Sequence, residues 1–286
     1  MQDVTAILTA HRRPVHLRQA IRSIRKFYPD LDLIVIADQE VTAANRRIME
    51  ADKNLRFIWL GLQDAGVSIL RNRGADLVHK KYTLVLEDDF VFTKETRIEH
   101  MREILEHDQE AALCCGALYY FNRLRWFANN LNLDEENKLY ETIPIRQPEW
   151  RRAGGSRYFY IEYAFNFFMM KTAAGLRWDP ELKIAIEHID FFIQLKKAGI
   201  WKAAFTPDAA AIHNCTHPNK QYDADRNRLK YWEYFYKKYG YRHGINRAEF
   251  KVYDLARRQP LPYPEYIFFL MRKIQGRGAQ PKPTAP

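Results

Sequence analysis

Short apolar runs and stretches of helical periodicity alternate from the start of the chain. Val4–Leu8 is a run of strand length, and Leu17, Ala20, Ile21, Ile24 and Phe27 then recur at helical spacing. Pro14 stands where a helix tolerates proline, in the first turn. Leu33–Ala37 predicts a second strand ending at Asp38, and Arg56–Leu60 a third. Gly61 and Gly66 follow it, then a helical pattern carried by Ile69, Leu70, Leu77 and Val78. The fourth strand is YTLVLEDDFVF, residues 82–92, after which Thr93 is expected to cap a helix buried through Ile98, Met101, Ile104 and Leu105. Such alternation predicts an α/β fold with a mostly parallel central sheet and crossover helices. Ligands of such sheets sit beyond the carboxyl ends of the strands. Thr9, Asp38 and the run Glu87, Asp88, Asp89 all fall at those ends, so three polar strand ends share one rim.

Past residue 110 the pattern loosens. Ala111–Tyr120 predicts a strand, and residues 121–157 read as an irregular excursion rich in charge, Asn and Pro. Residues 158–170 are aromatic, with a strand or a buried hairpin expected in FNFFMMK. Ile189–Ala198 is helical up to Gly199, and Ala203–Phe205 and Ala209–Ile212 predict two short strands. The expected division is a catalytic unit over 1–215, in halves 1–110 and 111–215, then a basic helical extension over 216–275. Residues 276–286, ending in PKPTAP, are expected to be a disordered tail.

Composition narrows the class. With 47% hydrophobic and 14% aromatic residues in 286, the chain can bury a large core. Three cysteines, Cys114, Cys115 and Cys215, suit neither a disulfide framework nor a zinc site, which implies a reduced, cytoplasmic protein. No apolar stretch reaches the ~18–20 residues of a bilayer span, and the first strand pattern begins too early for a leader peptide. The charge is concentrated: of the net +10, residues 216–286 carry fifteen Lys/Arg against six Asp/Glu. Partner electrostatics therefore belong to the C-terminal quarter.

Buried strands do not ordinarily finish in three carboxylates. Glu87, Asp88 and Asp89 repel one another and resist desolvation, so a cation is expected there, and Mg2+ or Mn2+ held by carboxylate and phosphate oxygens would suit. IEHIDFF, residues 186–192, places Glu187 and Asp190 at a helix start, where the dipole favours acids. His213 follows an apolar strand, with His217 as its neighbouring alternative. Arg71 and Asn72, in SILRNRGAD, offer donors for a base or a phosphate. Neither GxGxxG nor GxxxxGK[ST] occurs, so dinucleotide binding of the Rossmann type and P-loop chemistry lack support.

Taken in order, SIRKFYP (23–29), IAD (36–38), DDFVFT (88–93), NFF (166–168) and H-x-acid-F-F (188–192) resemble inverting nucleotide-sugar glycosyltransferases of the GT-A fold, the ganglioside-type β-1,4-N-acetylgalactosaminyltransferases above all. The resemblance covers roughly residues 3–215. It implies a nucleotide-binding half before residue 110 and an acceptor half after it. Thr9, Asp38, Arg71 and Asn72 would lie along a uridine nucleotide, with Glu87 and Asp88 near the ribose and metal. Asp89 and His213 would ligate Mn2+ or Mg2+. Asp190 would be the base that deprotonates the acceptor hydroxyl, and His188 would orient it or touch the donor sugar. The implied donor is a UDP-sugar, the acceptor a glycan or lipid-linked glycan of the kind used in bacterial surface-polysaccharide or glycolipid synthesis. Glu87 stands where the family generally has Asp, and the anchor of Golgi members is not seen, which suggests work at the inner face of a membrane.

Two rival classes remain at this stage. The tail segment RNRLKYWEYFYKKYGYR, residues 226–242, interleaves cations and aromatics, as single-strand nucleic-acid binders and glycan-binding modules do. That reading leaves the carboxylates unexplained, and nucleic acid is not expected. A nucleotidyltransferase would use strand-end carboxylates and a metal, but TAHRRPVH, residues 9–16, gives it no glycine-rich phosphate loop. For 226–242 the expected role is a helix packed on the catalytic unit. For 263–277, apolar and then basic, it is peripheral contact with an anionic membrane.

Overall fold

A computed structural model describes residues 1–10, 13–38, 41–62, 65–121, 123–165, 167–214, 228–247, 251–254 and 259–260. The expected peripheral segment 263–277 and the PKPTAP tail lie outside the described residues, as does Asn166 of the NFF motif.

The N-terminal half follows the periodicity closely. β1 (Val4–Ala10), β2 (Asp32–Ala37), β3 (Leu55–Trp59) and β4 (Tyr82–Glu87) are parallel neighbours in the order β3-β2-β1-β4. Between them run α1 (Pro14–Phe27), α2 (Ala43–Glu50) and α3 (Gly66–Asp76). Alternate strand residues feed opposite layers, because successive side chains point to opposite faces. Val4, Ala6, Leu8, Leu33, Val35, Leu84 and Leu86 pack with Leu17, Ile21 and Ile24 of α1. Ile7, Ile34, Ile36 and Val85 pack with Leu70 and Ala75 of α3. Gly74 lets α3 lie close on the sheet, since a Cβ there would stand 2.7 Å from Ile36 Cδ1. The same contact fixes the height of Arg71 above the strand ends.

Helix α2 was not legible. Only Asn45 and Met49 of it are buried, so it lacks an apolar stripe and is held at its start by the Thr42 hydroxyl accepting from the Asn45 amide. The expected Thr93 cap is also displaced. α4 begins later, as Ile98–His107, and Thr93 instead donates its hydroxyl to Glu95 in the preceding turn.

The central sheet is mixed rather than mostly parallel. β5 (Phe90–Val91) and β6 (Ala111–Tyr120) precede the excursion 121–157, which is ordered into β7 (Arg123–Arg125), β8 (Asn129–Asp134), β9 (Leu139–Pro144) and β10 (Arg151–Ala153). β11 (Ser156–Ile161) and β12 (Phe168–Lys171) follow, the latter lying antiparallel between β4 and β6. After α5 (Glu187–Ala198), the two expected short strands form one long strand, β13 (Lys202–His213), with a register shift between Thr206 and Ala210. Asp208, with Pro207 before it, made this irregularity look like a break.

The described part of the extension is not a separate unit. α6 (Arg228–Tyr239) inserts Tyr231 and Phe235 into the core, as expected for a packed helix. It is followed by strands, contrary to the expectation of a purely helical extension: β14 (His243–Asn246), β15 (Lys251–Asp254) and β16 (Gln259–Pro260). β14 runs parallel to β9, giving a second sheet in the order β16-β15-β14-β9-β8. No helix among the described residues is long and apolar enough to cross a membrane.

Candidate active site

The rim forms because three strands end together. The β1–β4 register sets Thr9 opposite Glu87, and the β1–β2 register sets Thr9 opposite Ile36, with Asp38 just past the end of β2. Thr9 and Asp38 are both buried. Beyond Glu87 the chain turns through Asp88 and Asp89 into β5, which pairs with the end of β13: Phe90 lies opposite His213 and Val91 opposite Ile212. The Asn214 amide donates to the Asp89 carbonyl at 2.8 Å. This clasp ties the acidic turn to a residue far along the sequence and sets His213 Nε2 3.3 Å from Asp89 Oδ2.

Glu87, Asp89 and His213 each offer a ligand atom, all within 4.8 Å of one another. Asp89 Oδ1 is buried and has no hydrogen-bond partner among the described residues. Two carboxylates and an imidazole form a donor set that fits a divalent ion such as Mn2+. Burial alone would push the Asp89 carboxyl up, but the hydrogen bond with His213 and the Arg13 guanidinium outweigh it. They hold the carboxyl well below the usual carboxylate range, charged and ready to ligate.

Two arginines neutralise the acids. Arg71, itself buried, gives Nη2 to Glu87 Oε1 at 2.6 Å and lies 3.4 Å through Nη1 from Glu187 Oε1. Its guanidinium also stands over the Trp178 ring, 5.4 Å from the centroid. Arg13, at the entrance to α1, pairs with both Asp88 and Asp89. Asn72 is committed elsewhere than to a ligand. Its side chain donates to the Trp178 carbonyl (2.8 Å) and accepts from the Trp178 amide (2.9 Å), so it pins the loop before α5.

Asp190 differs sharply from its expected role as base. It is fully buried, and both oxygens are taken: Oδ2 accepts from Gln194, and Oδ1 from Lys238 Nζ and the Tyr239 hydroxyl, each at 2.7 Å. A base must turn a lone pair to its substrate, and this carboxylate has every neighbour of a structural ion pair. Lys238 also binds Asp179 at 2.6 Å. Burial lowers the Lys238 ammonium, but the bonds to Asp179 and Asp190 overcome this and raise it. The half-buried member of this helix start is His188, whose Nε2 lies 3.4 Å from Glu187 Oε1.

An aromatic wall joins the two ends of the site. His213 faces Tyr120 (5.6 Å between ring centroids), Tyr120 faces Phe127 (6.0 Å), Phe127 faces Phe165 (4.2 Å), and Phe165 meets His188 (6.0 Å). All five rings are half-buried. Sequence reasoning missed this wall and Arg13. The wall combines residues from separate turns without a shared period. Arg13 had a signal: a cation just after β1 must face whatever ends the adjacent parallel strand, and that is the acidic turn.

A mixed α/β sheet with acids and a histidine gathered at its carboxyl rim defines a nucleotide-sugar glycosyltransferase architecture of the GT-A kind. Residues 5–172 match the family described as Glycosyl transferase family 2, and the chain belongs to that family. Over 195 residues it is 34% identical to β-1,4 N-acetylgalactosaminyltransferase 1 of Rattus norvegicus, covering 66% of this chain and 35% of that protein. The chain thus spans about a third of the length of this relative. Over 103 residues it is 31% identical to β-1,4 N-acetylgalactosaminyltransferase 2 of Mus musculus (36% of this chain, 19% of that one). Among solved structures, S. aureus TarS 1–349 in complex with UDP-GlcNAc superposes with a TM-score of 0.55 at 11% identity, covering 81% of this chain and 64% of that one. GalNAc-T7 with UDP, GalNAc and Mn2+ gives 0.56 at 13%, covering 73% and 43%. At these identities the structural likeness speaks for the fold.

Proposed function

We propose that the chain transfers a sugar, with inversion, from a UDP-sugar to a glycan hydroxyl, assisted by Mn2+ or Mg2+. The observation that carries this reading is the Glu87, Asp89 and His213 cluster on the carboxyl rim beside Thr9 and Asp38. The relatives named for N-acetylgalactosaminyl transfer and the neighbours solved with UDP, UDP-GlcNAc or GalNAc favour an N-acetylhexosamine donor. A divalent ion held by Glu87, Asp89 and His213 would supply Lewis-acid stabilisation of the departing diphosphate.

The protein's own residues do the rest. Thr9 and Asp38, buried at adjacent strand ends, line the nucleotide. Arg71 holds Glu87 and Glu187 in fixed relation, so the metal side and the acceptor side of the cleft move together. His188, half-exposed and oriented by Glu187, takes the acceptor proton in place of the saturated Asp190; inversion needs one such base. Tyr120, Phe127 and Phe165 offer flat apolar faces between the cluster and His188, where a sugar ring must lie. The cytoplasmic side of a membrane and a lipid-linked acceptor suit this reading.

Calorimetric titration with UDP and then UDP-GalNAc, UDP-GlcNAc, UDP-Gal and UDP-Glc, each with Mn2+ and with EDTA, tests it. UDP binding that requires Mn2+ is the expected result. Equal binding in EDTA would remove the metal from the reading, and no binding with any of these ligands would remove the UDP-sugar donor.

A further inference from the structure

Arg13 is a residue of the rim to which the proposed chemistry gives no role. It stands at the N-cap of α1 and immediately precedes Pro14, the first residue of that helix. Its side chain is 15% exposed, and its guanidinium meets the carboxylates of Asp88 and Asp89, which are 2% and 5% exposed. Arg13 therefore spans both aspartates of the turn. Asp89 is also the residue that joins Glu87 and His213 in the cluster able to hold a cation.

The charges can be counted. Glu87, Asp88, Asp89 and Glu187 bring four carboxylates, and Arg71 and Arg13 answer them with two guanidiniums. A bare divalent ion entering this arrangement would have to take Asp89 beside a guanidinium of like charge that already holds it. A nucleoside diphosphate changes the balance, because its phosphates offer Arg13 another anion and the metal further oxygen ligands.

We propose, resting on the donor reading above, that Arg13 is an internal counter-ion that keeps the acidic turn ordered and closed to a bare cation. The cation then enters together with the diphosphate of the donor, and Arg13 gives up Asp89 as it does. The order of binding is written into one side chain: nucleotide and metal arrive as a pair, and metal alone is refused. Such coupling is reciprocal, so UDP strengthens Mn2+ binding by the factor by which Mn2+ strengthens UDP binding.

The experiment compares wild type, Arg13→Ala, Arg13→Gln and Arg13→Lys. Bound Mn2+ is read by electron paramagnetic resonance of the free ion, with and without UDP, and melting is followed in EDTA and in Mn2+. Wild type should bind Mn2+ alone weakly and far better with UDP. Arg13→Ala and Arg13→Gln should bind Mn2+ alone about tenfold more tightly and lose most of the UDP enhancement. Both should melt lower than wild type in EDTA and recover in Mn2+, since the ion replaces the missing positive charge. Arg13→Lys, which keeps the charge, should stay close to wild type. If neither neutral variant binds Mn2+ alone more tightly, or if Mn2+ does not restore their melting, Arg13 is a fixed structural partner and the proposal falls. Glutamine preserves most of the side-chain length, so a misfolded alanine variant does not block the comparison. Absence of UDP binding by wild type would overturn the donor reading, while the Mn2+-only titrations would still decide whether Arg13 competes with the cation.

Discussion

Two groups of buried carboxylates in this protein look alike in the sequence and behave differently in the structure. At the rim, Asp89 is buried but keeps one oxygen without a hydrogen-bond partner among the described residues, and its neighbours are two possible ligands and the Arg13 guanidinium. In the first turn of α5, Asp190 is buried with its oxygens held by Gln194, Lys238 and Tyr239. Both acids are paired. What separates a binding site from a structural ion pair is whether the pairing is complete.

That contrast can be broken by experiment. The largest effect belongs to the acceptor side: His188→Ala should lower kcat by about 100-fold or more, as loss of a general base does, with donor binding preserved. Its pH–rate profile should lose the limb assigned to the free base. If Asp190→Asn folds normally and shows that loss while His188→Ala does not, Asp190 is the base and the contrast fails. Next comes Asp190→Ala, which leaves Lys238 to Asp179 alone and takes the acceptor from the Tyr239 hydroxyl, and should cost about 3–5 kcal/mol of stability in urea unfolding. Asp89→Asn should do the converse. It should leave stability near wild type and weaken Mn2+-dependent UDP binding about 100-fold, on the order of 2.7 kcal/mol. The smallest change is Phe165→Leu, which keeps apolar volume and removes a flat ring. It should raise the acceptor KM several-fold and leave UDP affinity unchanged, as measured by titration and steady-state kinetics.

The sequence was readable where one physical signal dominated. Strands β1 to β4 and helices α1, α3 and α4 carry strong periodicity, and the acidic run ended a strand where water-seeking groups do not belong. Residues 121–157 were obscure because their strands are short and half-exposed, with Arg, Asn and Glu interrupting any alternation; Leu131 and Tyr140 are buried, yet their neighbours in sequence are polar. The saturation of Asp190 was hidden for a related reason. Glu187, His188 and Asp190 share one helical turn, and only tertiary packing from α6 decides which of them is saturated. Arg71 carried a signal in its RNRGA helix, but its partners, Glu87 and Glu187, come from segments a hundred residues apart.

The bond between Asp190 and Lys238 also bears on how the chain is made. The two residues are separated by 48 positions, and Tyr239 by 49. At a synthesis rate of ~5–20 residues per second, α5 emerges about 2–10 s before the groups that neutralise its buried acid. During that interval Asp190 keeps its water, and the inner face of α5 cannot seal against the sheet. The residues of β1 to β4 can settle early from their own parallel pairing. The residues around α5 wait for α6, so that later helix sets the moment at which the cleft acquires its second wall.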